Sequence, residues 1–439
     1  MKGSEELART VLLCRDYVAD DVTDDEICER LQSRRILCIS DIRNLSSHAG
    51  QTALVTLVSL LSRMGMQVAL NIPDIDLLLP QPPLVGSSLP NALIGVSEAF
   101  VRGATISKHT DAPPDVIFAL GDSPVKDYRA PCWRLTGDEW SGRIASDGVG
   151  LPPLWAFEFP MGSMASAGLA ATEAFKFVLR GLRLQGSWVH EFVQPSRSGG
   201  WRFGSGEALG TEFDLGAIDF ISAGAISQAA LYVLDRIPRI RMRGRIFDND
   251  TTALSNLNRN MLSLQRDVGC AKVEIVARRC RQVVLEPIAA RYGNGNPECE
   301  VLALRVVVGV DDVPSRWEVQ RRGPVWLVVG GTSHFNVSSS AHRLGEPCSG
   351  CLHPVDDPGP DVIPTISFVS FWAGLATVMR LLQEAAGKPY TQGRQHLWLS
   401  ALRMDLPKAA IWSPVPARKD CPVRCFASRS LMDIDRIAA

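Results

Sequence analysis

A surplus of charge of either sign is missing from this sequence. Its 46 Lys and Arg face 47 Asp and Glu, a formal net charge of -1, so no global field argues for nucleic acid or an anionic membrane as partner, and any polyanion site has to be local. An uninterrupted apolar run is also absent. The most apolar stretch, LVTLVSLLSRMGMQVAL, is broken by Arg63, and the opening MKGSEELARTVLL puts charges where a secretory leader needs an apolar core. A soluble, cytoplasmic chain is expected. A disulfide framework is lacking too: eleven cysteines is an odd number, and most sit singly in apolar segments, as Cys38 does in ILCIS and Cys132 in APCWR, the setting of reduced, buried thiols.

What is present is a recurring order of elements. The 439 residues suffice for about two or three compact units at roughly 150 residues each. Residues 1–33 are charged and weakly helical. ILCIS (Ile36 to Ser40) reads as a buried strand, Gln51 to Met64 carries apolar residues at helical spacing, and MQVALNIPD and DVIFALGD (Asp115 to Asp122) read as further strands. Strand, helix, strand predicts a doubly wound, mostly parallel sheet. The order returns with AIDFIS (Ala217 to Ser222), a helix from about Ala225 to Leu234, RGRIFD (Arg243 to Asp248) and a strand ending at Asp312. Two long helices rich in small residues, Gly162 to Leu182 and Phe368 to Pro389, close the two halves. The expected class is α/β with two Rossmann-like halves, residues 34–193 and 213–439. The Gly- and Ser-rich, period-free stretch Gln194 to Gly210 reads as a connector, placed at 194–212.

Chemistry concentrates in the second half. Its strand-to-helix turn reads SAGAIS, Ser222 to Ser227, a phosphate-binding fingerprint with Gly224 intact and small residues in the other glycine positions. Asp248, 24 residues beyond Gly224, stands where an acidic side chain accepts from ribose hydroxyls, which also suits a nicotinamide dehydrogenase. Asp250 is a second acceptor of the same nucleotide site, and the residues downstream suit a triphosphate better: Asn256, Arg259 and Asn260, then Lys272 in DVGCAKVEI. The next strand delivers Asp311 and Asp312 to the carboxyl edge of the sheet, where ligands of open α/β sheets collect and where a carboxylate can hold magnesium. Singly, each residue also reads as a solvated strand end or helix-face charge.

The run D-N-D-x-x-x-x-S-N-L-N-R-N, followed by V-G-x-x-K-V and V-D-D-V-x-x-R, resembles the ubiquitin-activating and ThiF/MoeB-type adenylyltransferase family over roughly Asp214 to Cys425. The resemblance implies a pseudo-dimer of adenylation domains using ATP and magnesium. On matching positions, Asp248 takes the ribose, Arg259 and Lys272 contact the phosphates and Asp311 supports the metal. Asn256 and Asn260 order the loop and the triphosphate, Asn260 standing where the family usually has glutamine. The implied reaction is attack of the C-terminal carboxylate of a β-grasp, ubiquitin-like protein ending in glycine on the α-phosphate of ATP, releasing pyrophosphate.

Cys348 and Cys351 in EPCSGCLHP, with Cys421 and Cys425 in DCPVRC, can together give one tetrahedral zinc its four thiolates. The second spacing is one residue longer than the usual knuckle, and the family places its zinc in the same two places. His353, just past the first pair, reads as a surface histidine, with ligand or base as the alternative. Family members that pass the activated protein on as a thioester carry a cysteine in a Pro-x-Cys setting before the closing helix. Here VIPTISFVS puts Thr365 near that position, and a hydroxyl cannot replace a low-pKa thiolate. The chain therefore stops at the adenylate, hands it to a conjugating enzyme's cysteine, or uses another cysteine.

The first half, with the turn SDIRNLSSHAGQ and no Asn-x-x-Arg motif after NIPD, is not expected to bind ATP. In the family a partner domain contributes an N-terminal arginine to the phosphates, and an inactive half can do so within one polypeptide. Arg30, Arg34 and Arg35 are the candidates. Homodimerisation is a further expectation. The alternatives are an adenylyltransferase acting on a small peptide, with Trp188 to Trp201 as a clamp, a scaffold without catalysis, and, last, a nicotinamide oxidoreductase.

Overall fold

The structure is a computed structural model. It describes residues 5–425 apart from 109–111, 127–128, 147–152, 204–208, 294, 296, 300, 357–361, 389–392 and 406–408. Pro389, the end expected for the second closing helix, lies outside the described residues.

Two helices open the chain, α1 (Ala8–Arg15) and α2 (Asp24–Gln32). A capping box at Thr23 and Glu26 starts α2, satisfying two of the free N–H groups of its first turn. The expected weak helicity is thus two definite helices, whose Leu13, Cys14, Ile27 and Leu31 enter the core. The first half continues as β1 (Arg35–Ile39), α3 (Ile42–Leu45), α4 (His48–Arg63), β2 (Gln67–Asn71), α5 (Leu89–Ile94), β3 (Ile106–Ser107), β4 (Val116–Leu120), β5 (Cys132–Gly137), β6 (Ser141–Ser146), α6 (Met161–Arg180), α7 (Ser187–Phe192) and β7 (Ser198–Arg202). The second half runs β8 (Phe213–Ile221), α8 (Ala225–Leu234), β9 (Ile240–Phe247), α9 (Lys272–Arg279), β10 (Val284–Ile288), β11 (Arg305–Val308), α10 (Val313–Arg321), β12 (Trp326–Ser333), β13 (Asn336–Arg343), α11 (Ser349–Leu352), α12 (Ser367–Ala385), β14 (His396–Ser400) and β15 (Ala410–Ser413).

The duplication is explicit in the strand order. The first sheet runs β3-β2-β1-β4-β5-β6-β7 and the second β10-β9-β8-β11-β12-β13-β14-β15. Shifted by seven, the two orders coincide, with one strand added at the end of the second. In both, the first five strands are parallel and the remainder antiparallel. The stretch 194–210, expected to be an irregular connector, therefore contains a strand, β7, which pairs with β6 from Ser141↔Arg202 to Ala145↔Ser198. Its residues alternate between exposed and half-buried, so it is an edge strand held by backbone pairing, with little apolar patterning to betray it.

Between the sheets lie the long helices. α4 packs on α6, α8 on α12, and α12 also touches α4 and α6, so one hydrophobic cluster runs through both halves. Every residue of α4 is buried. Small residues allow the close approach: a Cβ on Gly374 would stand 2.5 Å from Ala229, and one on Gly168 2.9 Å from the Trp372 indole nitrogen. No described helix is long and apolar enough to cross a membrane.

Candidate active site and metal centre

In the second sheet the connections depart in opposite directions from β8 and β11, which opens a crevice beyond the carboxyl ends of these strands. A cleft of about 310 Å³ occupies that place, lined among others by Ser222, Asp248, Asp250, Tyr292, Asp311 and Asp312. The acidic side chains singled out from the sequence thus share one cavity.

Gly224 is the N-cap of α8, which carries no side-chain cap, so the first-turn amides remain available to an anion. Ser222 occupies the first fingerprint position with φ 86°, a left-handed conformation that glycine adopts freely and serine does not. Its Oγ accepts from Gly224 N at 2.9 Å. At the third position Ser227 is buried, and room for it comes from the residue just past β11: a Cβ on Gly309 would lie 2.5 Å from Ser227 Oγ. The glycine missing from the helix has in effect moved to the neighbouring segment. Asp248 holds the turn, accepting from Ala223 N at 2.7 Å and from Asp250 N at 2.8 Å.

The donors arrive from the segment after β9. Asn256 Oδ1 accepts from Ala253 N at 3.0 Å and so shapes the loop. Asn260 is buried, and its Nδ2 has no acceptor among the described residues. Lys272, the first residue of α9, donates from Nζ to Asp250 Oδ2 at 2.7 Å. Arg259 Nη1 donates to neutral acceptors, Asn258 Oδ1 at 2.9 Å and the Ser255 carbonyl. Burial pulls its pKa down to about 10; the charge of Arg9 acts in the same direction and that of Asp311 opposes it.

Arg9, on α1, was not singled out from the sequence. Its Nη1 donates to the Ile363 carbonyl at 3.1 Å. Burial again lowers the pKa, and Asp311 again opposes. Neither Arg9 nor Arg259 has a carboxylate in ion-pair contact among the described residues. Two partly desolvated guanidiniums therefore sense one another and the same aspartate.

The arginines proposed for this role from the sequence are elsewhere. Arg34 pairs with Asp115 at 3.4 Å, Arg35 N donates to the same carboxylate at 2.9 Å, and Arg30 lies against Gly181. Arg34 and Arg35 mark the amino-terminal end of β1, the sheet edge opposite to a ligand crevice. The mark that distinguishes Arg9 in the sequence is slight: one cation in ARTVLL, on a helix whose other face is apolar.

Asp312 caps α10, Oδ1 accepting from Ser315 N at 2.8 Å, while the exposed Asp311 carboxylate has no hydrogen bond among the described residues. Arg316, from the same motif, donates to the Val310 carbonyl at 3.1 and 3.0 Å. Tyr292, another residue missed, lines the cleft with a buried Oη that lacks a partner among the described residues, its ring edge-on to Phe247. Asp248, Asp250, Asp311 and Asp312 thus line the cleft, whereas Arg9, Asn256, Arg259, Asn260 and Lys272 are not among its lining residues. The arrangement offers carboxylates that could accept from a sugar or hold a divalent cation, and the uncapped start of α8 could take an anion.

The corresponding crevice of the first sheet is plugged. Asn44 Nδ2 donates to Asp41 Oδ1 at 2.9 Å, Asp122 Oδ1 at 3.1 Å and Ser123 Oγ at 3.1 Å. A Cβ on Gly121 would sit 2.2 Å from Asn44 Oδ1. The side chain fills the space a phosphate would need.

Cys348, Cys351, Cys421 and Cys425 converge, with all four sulfurs within 4.8 Å of one another. The pairs Cys348–Cys421 and Cys351–Cys425 stand at 3.5 Å, and Cys421–Cys425 at 3.9 Å. A tetrahedron with Zn–S of about 2.3 Å sets its sulfurs about 3.8 Å apart, so the four fit zinc. The longer spacing of the second pair is accommodated by the turn around Arg424, which takes φ 57°. His353 is not among the four ligands; it is half-buried rather than a surface histidine, and Trp317 Nε1 donates to its carbonyl at 2.9 Å. Thr365 is buried, with Oγ1 3.1 Å from Ser370 Oγ. Trp188 is exposed, whereas Trp201 packs edge-on against Trp372, so the two do not form a shared exposed clamp.

A family described as the BilD N-terminal domain matches residues 35–186. The uncharacterized protein y4jF of Sinorhizobium fredii is 28% identical over 151 residues, 32% of this chain and 28% of that protein. The SAMP-activating enzyme E1 of Haloferax volcanii is 32% identical over 127 residues, 27% of this chain and 47% of that protein. The chain thus spans less than half the length of these curated relatives. Among solved structures, E. coli MccB with MccA aligns at 16% identity and a TM-score of 0.37, covering 47% of this chain and 66% of that one. The resemblance to E1-like adenylyltransferases of the ThiF/MoeB type, read from the motifs, is borne out.

Proposed function

We propose that this chain activates the C-terminal carboxylate of a small ubiquitin-like, β-grasp protein by adenylation, with ATP as co-substrate. A carboxylate oxygen forms a bond to the α-phosphorus, the bond from that phosphorus to the bridging oxygen breaks, and pyrophosphate leaves with the electron pair. The products are the acyl adenylate and pyrophosphate.

The main obstacle is bringing one anion up to another. Two unit charges about 4 Å apart repel by roughly 4 kcal/mol at an effective dielectric near 20. The observation that carries the proposal is the cleft beside the uncapped start of α8, lined by Ser222, Asp248 and Asp311; the nearby Arg9 and Arg259 have no carboxylate in ion-pair contact among the described residues and donate to neutral acceptors. An isolated protein gains nothing from two such cations side by side, whereas a triphosphate satisfies both. Magnesium, when bound at Asp311, draws charge off the phosphate oxygens. Asn260 donates to phosphate, Asp248 accepts from the ribose, and Lys272 exchanges Asp250 for a phosphate oxygen. The first half contributes Arg9 and no second nucleotide.

The chemistry of this chain ends at the adenylate. Thr365, buried and bonded to Ser370, offers no thiol at the position the resemblance marks, and in this reading the activated carboxylate passes to a cysteine on another protein, a conjugating enzyme. The test is ATP–pyrophosphate exchange in the presence of a β-grasp protein ending in glycine. Stimulation by that protein is expected; stimulation by a short peptide alone assigns a peptide substrate instead. Absence of MgATP binding heat with both wild type and Arg259→Ala leaves only a scaffold.

A further inference from the structure

We infer that Arg63, at the end of α4 in the half that lacks a nucleotide crevice, is a positioning residue that holds the donor loop of the other half in its phosphate-facing shape. The inference rests on the nucleotide reading of that loop.

Arg63 is fully buried. Its Nη1 donates to the Leu257 carbonyl at 2.6 Å, and its Nη2 to the carbonyls of Met261 at 2.8 Å and Ser263 at 3.0 Å. These three carbonyls flank Asn258, Arg259 and Asn260. None of them receives a backbone N–H among the described residues; the turns inside the loop instead use the carbonyls of Ala253, Leu254, Asn256 and Asn260. One planar fork thus satisfies the carbonyls that an irregular loop leaves over, a geometry suited to guanidinium and not to an ammonium. The Phe100 ring lies 4.6 Å from the guanidinium carbon, and no carboxylate is in ion-pair contact among the described residues. Burial lowers the Arg63 pKa to about 9, which leaves it charged at neutral pH.

Cost argues against a role in core packing alone. Burying a guanidinium without a carboxylate is expensive, and an apolar side chain would serve the helix interface better. The cation is tolerated because removing it would leave three buried carbonyls unmet. Gln228 of α8 holds the same loop from the other side, Oε1 accepting from Leu262 N at 3.1 Å and from Ser263 Oγ at 3.1 Å. The loop is therefore clasped between one residue from each half.

The experiment combines hydrogen exchange over residues 256–264 with MgATP calorimetry for wild type, Arg63→Lys and Phe100→Leu. For Arg63→Lys, loop amides exchange about tenfold faster or more, β8 and β9 keep wild-type exchange, and MgATP affinity falls about tenfold. Phe100→Leu keeps the donors but removes the ring beneath them, and shifts the same loop by a smaller factor. Wild-type exchange in the loop of both variants overturns the inference, as does acceleration spread equally through both sheets. Wild type that binds no MgATP overturns the nucleotide reading instead, while the clasp is still decided by the exchange pattern.

Discussion

Asn258 Nδ2 donates to Thr10 Oγ1 at 3.0 Å and to the Thr365 carbonyl at 3.3 Å. Thr10 follows Arg9 and Asn258 precedes Arg259, so this one amide registers the first helix of the chain against the donor loop and sets the positions of both guanidiniums relative to each other. The Thr365 amide donates back to the Arg9 carbonyl at 3.4 Å, which closes the arrangement from the side of α12.

Removing either cation should hurt catalysis more than folding. Arg259→Ala and Arg9→Ala are each expected to lower kcat for pyrophosphate exchange by about a hundredfold, the scale of losing one donor to developing charge. Because each relieves repulsion between two partly desolvated cations, Arg9→Ala leaves Tm unchanged or slightly higher. Exchange kinetics and calorimetric melting on the same samples check both statements.

The turn at Ser222 makes a prediction about backbone strain. Ser222→Ala retains the φ of 86° and loses the bond to Gly224 N, so a destabilisation of about 1–2 kcal/mol is expected. Ser222→Gly loses the same bond but relieves the left-handed strain, which brings it within about 1 kcal/mol of wild type. Urea melts of the two variants separate the contributions; equal losses would show that the conformation costs nothing.

Zinc should be structural. Cys425→Ser is expected to reduce bound zinc from one equivalent towards none and to lower Tm, without altering MgATP affinity more than about threefold. Metal analysis and calorimetry on the purified variant provide the readout. Retention of one equivalent of zinc would remove Cys425 from the ligand set.

Acid should weaken the junction between the halves through His48. This ring is fully buried, Nε2 lies 2.8 Å from the Arg236 carbonyl, and burial lowers its pKa from 6.5 to about 4. The folded state thus binds its proton less readily than the unfolded chain. Its contribution is present above pH 6.5 and is lost as pH falls towards 4. Between pH 7.5 and pH 5 the loss is about 2 kcal/mol for this residue. Urea unfolding at the two pH values, compared with His48→Gln, should show the variant's pH dependence smaller by about that amount.

The fold was legible where burial on both faces forces continuous apolar strands: ILCIS, VIFAL and the two later strands could be read in order, and α8 runs from Ala225 to Leu234 as its periodicity predicts. β7 was hidden because SGGWR has no apolar alternation and owes its existence to the pairing offered by β6. Of the candidate site, the residues carrying the motif could be read because chemistry restricts their types. Arg9 and Arg63 could not, because each reaches the site from the other half, and only the tertiary arrangement tells either from a surface or misplaced arginine. The filled first crevice was foreseen only as a missing pattern; that Asn44 fills it is a matter of geometry.

The seam between the two sheets has a practical consequence. α4 presents no solvent-facing side at all, so a gene cut between the repeats would yield two fragments with sticky, water-averse flanks rather than two working modules. Co-expressed, the pieces should reassemble; produced separately, each should precipitate. The molecule is best handled as an indivisible couple whose mute member cannot be trimmed away.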